Sequence, residues 1–301
     1  MERPIIINNV SEYIQNISEL NKKSIKLRSI PVSSMSFYRG QSNAEWPLAP
    51  RLYRENLFKF ERVLITEFLR IVPHEFENMS AFDILVKMQH FGLPTRLLDT
   101  TLNPLVALFF SCYGEKQKSK DGVVYAFSNY PAHYQQNYNV AVVMKFIFQY
   151  SPYPLDILDF LDDLNKSREI QESMKASLSF ANSDPLKIPL LAVIPKLSNP
   201  RIINQDAAFL LLGMKLEKEE NVNDSIRGGR LIHHYSPIDL DKNFNKIWPN
   251  PHGKIFHIPF GYKKNILDEL EFLGISKNKM FPELEYQAEF ITNLINKSTT
   301  Q

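Results

Sequence analysis

The stretch Gln89-His90-Phe91-Gly92-Leu93-Pro94-Thr95-Arg96-Leu97-Leu98-Asp99-Thr100-Thr101-Leu102-Asn103-Pro104 decides how this chain folds, because three elements meet in it. Ser80, with Asp83 three residues on, forms a capping pair that starts a helix over residues 81–91, and Gly92 stops it. Residues 96–100 read as a short buried strand. Asn103 caps the next helix, and Pro104 takes its first position, where a missing N–H costs nothing. That helix, residues 105–113, is apolar nearly all round and is expected at the centre of the core.

Towards the N-terminus, residues 36–39 read as a strand end, and Gly40 allows a sharp change of direction. Ser11 can cap a helix running to about residue 21. Between 54 and 71, Leu57, Phe60, Val63, Leu64 and Phe68 recur with a helical period, and Pro73 ends the run. Towards the C-terminus, strands are expected at 122–127, 140–148, 190–194, 207–212 and 254–259. Residues 151–185 read as a helical insert, 217–230 as an exposed loop, and 262–273 and 282–295 as amphipathic helices. Strands and helices do not alternate regularly, which favours an α+β fold over a doubly wound sheet. A single domain over 1–301, with its core at about 33–290, is expected.

Bulk composition narrows the function classes. Lys and Arg number 35 against 33 Asp and Glu, an excess too small to point to nucleic acid or a membrane surface. Cys112 is the only cysteine, which excludes an internal disulfide and a cysteine-based metal cluster and fits a reducing compartment. The apolar runs 104–110 and 189–195 are far too short to span a bilayer, and no signal peptide is visible. A cytoplasmic protein with no membrane contact is expected. The Asn-, Ile- and Lys-rich composition is compatible with an AT-rich bacterial or phage genome.

Two constellations carry candidate chemistry. In Phe37-Tyr38-Arg39-Gly40-Gln41, an arginine fork at a strand end matches phosphate, and glycine lets backbone approach; the alternative is an ion pair with a buried carboxylate such as Asp99. In the second, Gln89, His90, Thr95, Arg96, Thr100, Thr101 and Asn103 crowd an apolar neighbourhood, where polar groups need partners or face a ligand. Asp99 holding Arg96 and Asn103 acting only as a cap are the structural alternatives. His90 can serve as a hydrogen-bond donor or general base, or can be a core histidine bonded to backbone. Glu283-Leu284-Glu285 lies at a helix start after Pro282, where acidic residues favour the helix dipole. His233, His234, His252 and His257 match no common zinc spacing, so no metal is expected.

Tyr38-Arg39-Gly40-Gln41, residues 89–99 and Asn103-Pro104-Leu105-Val106-Ala107-Leu108-Phe109-Phe110 together resemble the FRG domain family. Arg201-Ile202, Gln205, Phe209 and the segments 273–275 and 281–284 extend the likeness to about residues 33–290. FRG domains in turn resemble ADP-ribosyltransferases, whose split sheet clamps NAD. That resemblance implies an ADP-ribosyltransferase-like fold with a split mixed or antiparallel sheet around a cleft and a buried central helix. It implies NAD as substrate, with Arg39 on the phosphates and Thr100 and Thr101 beside the nicotinamide ribose. Gln205 falls where transferases carry a catalytic glutamate, and glutamine lacks that residue's charge. Arg39, Gly40, Gln41, Gln89, Thr95, Arg96, Thr100, Thr101 and Asn103 are the binding candidates, and Gln205, Arg39 and His90 the catalytic ones. The implied function is cleavage of the nicotinamide–ribose bond, by transfer to an unidentified protein or nucleic-acid acceptor or by hydrolysis, in a bacterial toxin or antiviral effector. A non-catalytic nucleotide-binding module is the alternative.

Overall fold

The structure, a computed structural model, describes residues 4–26, 34–114, 119–151, 155–168, 170–171, 190–213, 232–233 and 253–283. In chain order its elements are β1 (Ile5–Ile6), α1 (Val10–Lys26), β2 (Ser34–Gln41), α2 (Arg51–Arg54), α3 (Glu61–Ile71), α4 (Ala81–His90), β3 (Leu97–Thr101), α5 (Pro104–Cys112), β4 (Gly122–Tyr134) and α6 (Tyr138–Lys145). There follow β5 (Leu155–Asp156), α7 (Ile157–Lys166), β6 (Leu190–Ile194), α8 (Pro200–Asn204), β7 (Ala207–Leu212), β8 (Ile232–His233), β9 (Lys254–Ile258), α9 (Lys263–Phe272) and α10 (Lys277–Met280). The fold is mixed α+β, as the irregular order of elements implies.

Seven strands form one mixed sheet in the order β1-β9-β4-β2-β3-β7-β6. β4 is long enough to pair twice. Its first part runs antiparallel to β2 and β9, while Ala132–Tyr134 runs parallel to β6. Strands β4, β2, β3, β7 and β6 therefore close into a ring. Side-chain alternation sorts its two faces. Phe37, Leu98, Tyr125, Phe127, Ala192, Leu210 and Leu212 form one apolar cluster contributed by all five strands, which fills the inside of the ring. The alternate residues Leu97, Leu191, Val193, Phe209 and Leu211 face outward under α3, α4 and α6. Tyr38, Val124, Ala126, Phe256 and Ile258 face outward under α1, α5 and α9.

The seam between β2 and β3 is the weak one. β2 pairs with β4 over most of its length and β3 pairs with β7 along all of its own, yet β2 and β3 meet only at Tyr38↔Thr101. Beyond that pair the strands part, and the gap opens between Arg39–Gly40 and Asp99–Thr100.

Helix α5 packs across β2 and β4 and is the buried central helix expected from its composition, with Val106–Phe109, Ser111 and Cys112 all buried. Its close approach needs two glycines. A Cβ at Gly40 would lie 1.8 Å from the Ala107 carbonyl oxygen, and one at Gly122 2.2 Å from that of Ser111. Gly40 thus sits within β2 and makes room for a helix, instead of turning the chain as its position in the sequence suggested.

Other local expectations also shift. Residues 140–148 form α6 and a π-helical turn, not a strand. Val140–Met144 are all buried, so the helix shows no polar face, and its β-branched run imitates a strand. Asn137 caps it by accepting from the Asn139 N–H. Helix α1 is capped by Asn9, whose Oδ1 accepts from the Glu12 N–H at 2.8 Å, and not by Ser11. Of the insert 151–185, α7 is helical, while residues 172–185 and the loop 217–230 lie outside the described residues; of the helix expected over 282–295, residues 282–283 are not helical and the rest lies outside them. Among the described residues no helix is long and apolar enough to cross a membrane.

A buried ion pair ties the ring to its helical cover. Arg96 and Glu61, each 1% exposed, are joined by two hydrogen bonds, and Arg96 also donates to the Leu212 and Gly213 carbonyls. Burial works against the Arg96 charge, but the attraction of Glu61 outweighs it and holds the guanidinium above its ordinary value. Replacing Glu61 with alanine strands that cation and is expected to cost about 3–5 kcal/mol in chemical denaturation. Gly40→Ala is expected to destabilise by at least about 1–3 kcal/mol through overpacking against α5, visible as a lower denaturation midpoint.

Candidate functional site

The gap between β2 and β3 forms the floor of a cleft of about 290 Å³. Tyr38, Gly40, Asp99 and Thr101 contribute to the floor, α4 gives one wall through Val86, Gln89 and His90, and α5 gives another through Val106, Ala107 and Phe110. The segment 199–209 closes the third side with Asn199, Arg201, Ile202, Gln205, Ala207 and Phe209. Arg39 and Thr100 reach the cleft at the parted seam. Arg39 spans it: Nη1 donates to the Asp99 carbonyl at 2.6 Å, and Nε donates to Gln41 Oε1 at 3.1 Å. Burial lowers this guanidinium to about 10, opposed by Asp99 and reinforced by Arg54, so it stays charged at neutral pH. The buried Thr100 hydroxyl has no partner among the described residues.

A directional relay orders the α4 wall. The Leu97 N–H donates to Thr95 Oγ1, the Thr95 hydroxyl donates to Gln89 Oε1, and Gln89 Nε2 donates to Asp99 Oδ1 at 2.5 Å. Because Thr95 commits its proton to the amide oxygen, Gln89 must present its N–H groups to the carboxylate. Asp99 is exposed, the one exposed residue of β3, and does not form the buried pair expected of it. Arg96 points to the other side of the strand and takes Glu61 instead.

Within this geometry, residues 34–120 match the family model for the FRG domain. Over that segment the chain is similar to the FRG domain family. The match covers β2, α4, β3 and α5, hence the floor and two walls; the third wall, 199–209, lies outside it. No curated protein and no solved structure matches the chain.

Seven of the residues singled out by sequence line the cleft beside the FRG seam: Arg39, Gly40, Gln89, His90, Thr100, Thr101 and Gln205. Four do not. Gln41 is buried, holding Arg39 and donating to the Trp46 carbonyl; Thr95 supports Gln89; Arg96 is locked in the core; and Asn103 caps α5 while donating to Asp206. The structural alternative thus holds for Asn103, whereas Arg96 is structural through Glu61 and not through Asp99. Gln205 is tied at two points, with Nε2 donating to the Met280 carbonyl at 2.8 Å and its own carbonyl accepting from Thr101 Oγ1 at 2.6 Å. His257 bonds Asp121 at 2.9 Å, and among the described residues no cluster of three or more His, Cys, Asp or Glu could hold a metal.

Sequence reasoning missed the Arg201–Glu283 pair. Glu283 Oε1 accepts from Arg201 Nη1 at 3.3 Å, and Arg201 lies over the Phe281 ring. Glu283 therefore acts across space on a cleft arginine, where a helix-start role alone was expected. Asn199-Pro200 repeats the cap-and-proline signature of Asn103-Pro104 and marks α8, a signal present in the sequence. His90, Val86, Asn199, Arg201 and Ile202 also border a second chamber of about 630 Å³, which extends over Asp83, Lys87 and Lys196. Burial lowers the His90 pKa, Arg201 lowers it further, and Glu283 opposes them. Arg201→Ala removes the cation and leaves Glu283 unopposed, so the His90 midpoint is expected to rise in an NMR pH titration; an unchanged midpoint would assign the shift to burial alone.

Proposed function

We propose that the cleft binds a dinucleotide of the NAD type and cleaves its nicotinamide–ribose bond, passing ADP-ribose to an acceptor or to water. The observation that carries this reading is the parted seam, at which Arg39, the Thr100–Thr101 pair and Gln205 border one cavity. These are the residues that likeness to the ADP-ribosyltransferases assigns to phosphates, ribose and catalysis. A sheet that parts beside its strand-end arginine also supports a transferase-like fold. The first chamber alone is at the lower limit of ligand pockets, about 300–1,000 Å³; the second offers room for the rest of a dinucleotide or for an acceptor. Destruction or diversion of NAD is chemistry suited to a toxin or antiviral effector acting in the cytoplasm.

A second reading has its own observation. Both ends of Gln205 are bonded to the scaffold, which suits a residue that shapes a binding module. Nicotinamide release from NAD by wild type, Gln205→Ala and Gln205→Glu separates the two. If the cleft is catalytic, Gln205→Ala removes a hydrogen-bonded group worth on the order of 1–3 kcal/mol and lowers turnover about 10- to 100-fold. Gln205→Glu, which restores charge, keeps or raises it. If all three release nicotinamide at the uncatalysed rate while binding a nucleotide through Arg39, the binding module stands.

A further inference from the structure

Asp99 is the one acidic side chain among the described residues lining the cleft. The neighbouring carboxylates do not line the cleft: Glu283 gives Oε1 to Arg201 and keeps Oε2 buried without a partner among the described residues, and Asp206 accepts from Asn103. Arg39, the nearest candidate to neutralise Asp99, bonds its main-chain carbonyl and forms no ion pair with its carboxylate. Only the neutral amide of Gln89 holds that carboxylate, through Oδ1. The Thr95–Gln89 relay fixes its orientation without cancelling its charge. A relay anchored on buried Thr95 that ends on an exposed carboxylate, held by an amide and paired with no cation in a salt bridge, is a poor stabiliser of the fold and a good arrangement for meeting positive charge.

We infer that Asp99 is the catalytic carboxylate of this cleft, an assignment that rests on the reading of the cleft as an NAD-cleaving site. As the bond between ribose C1′ and the pyridinium nitrogen breaks, its electron pair leaves with nicotinamide, which departs neutral. Positive charge moves to C1′ and the ring oxygen, where the Asp99 carboxylate stabilises it. In hydrolysis, water forms the new bond to C1′ and gives one proton to Asp99, which passes it to solvent. The products are ADP-ribose, nicotinamide and a proton. Gln89 and Thr95 are positioning residues in this scheme. The missing charge at Gln205 is thereby supplied from the floor of the cleft.

The test is Asp99→Asn and Asp99→Ala in the full chain, with nicotinamide release, NAD affinity by calorimetry and melting temperature measured together. Both variants are expected to keep the wild-type melting temperature, since the side chain is exposed. NAD affinity should stay within a few-fold while kcat falls about 10²- to 10³-fold. Added formate, a small carboxylate that can enter the space vacated in Asp99→Ala, should restore part of the lost rate, which a structural residue would not allow. An active wild type with kcat preserved in either variant overturns the assignment of Asp99 and leaves the NAD reading intact. A lost rate with a collapsed melting temperature and no formate rescue makes Asp99 structural and also overturns it. A wild type that releases no nicotinamide overturns both.

Discussion

Helix α5 can lie where it does only because β2 and β4 offer it glycine at the two points of closest approach. With the Ala107 carbonyl occupying the space of a Gly40 Cβ, helix and strand are in backbone contact. Any side chain there would lift α5 away from the sheet. The outward cluster of Tyr38, Val124, Ala126 and Phe256 would then lose its cover. The cleft depends on the same contact. Val106 and Ala107 line it from the helix, and Gly40 lines it from the strand. A residue read from sequence as a ligand-facing glycine therefore does its first work in packing, and the shape of the cavity follows from that packing.

Charge is distributed just as unevenly. The FRG motif holds two arginines, and the fold uses them in opposite ways. Arg96 is withdrawn completely from water and satisfied by Glu61, Ser151 and two carbonyls, which fixes β3 against α3 and the end of β7. Arg39 is held by two neutral acceptors, and its net charge is left for the cleft. Asp99 is likewise held by a neutral donor. No hydrogen bond joins the two charges directly, although the Asp99 charge still favours the Arg39 guanidinium across the seam.

Much of this was legible in the chain. Between residues 80 and 112 the Ser80 and Asn103 caps, the strand between them and the buried α5 were all legible, because capping residues, proline and an all-round apolar segment each have a local physical cause. The strands 190–194 and 207–212 were legible from their length and their flanking turns. Residues 140–148 were not, since a helix buried on every side loses the periodicity that distinguishes it from a strand. Closure of the ring was also hidden: β4 changes partner part-way along, and no local pattern records which strand lies beside Ala132–Tyr134. Of the site, the seven residues that line the cleft were found through the motif, whereas Arg201 with Glu283 came together only through folding.

The misplacement of Asp99 has a more exact cause. Paired with Arg96 by proximity in sequence, it seemed to have a partner; on a strand, residues three apart face opposite sides. Leu98 and Thr100 share the face that looks into the ring, and Leu97, Asp99 and Thr101 share the face that looks outward. Applying that alternation to the apolar residues alone sends Leu98 to one cluster and Leu97 to another, as the structure shows. Applied to the charged residues, it forbids the Arg96–Asp99 pair and leaves Asp99 on the outer face with no cationic neighbour on its own strand. Beside it the sheet parts, and Arg39 bonds the Asp99 carbonyl with its side chain where β2 would otherwise continue the ladder. The seam is therefore closed by a guanidinium that also borders the cavity, and any anion that draws Arg39 away acts at the same point on the junction between β2 and β3.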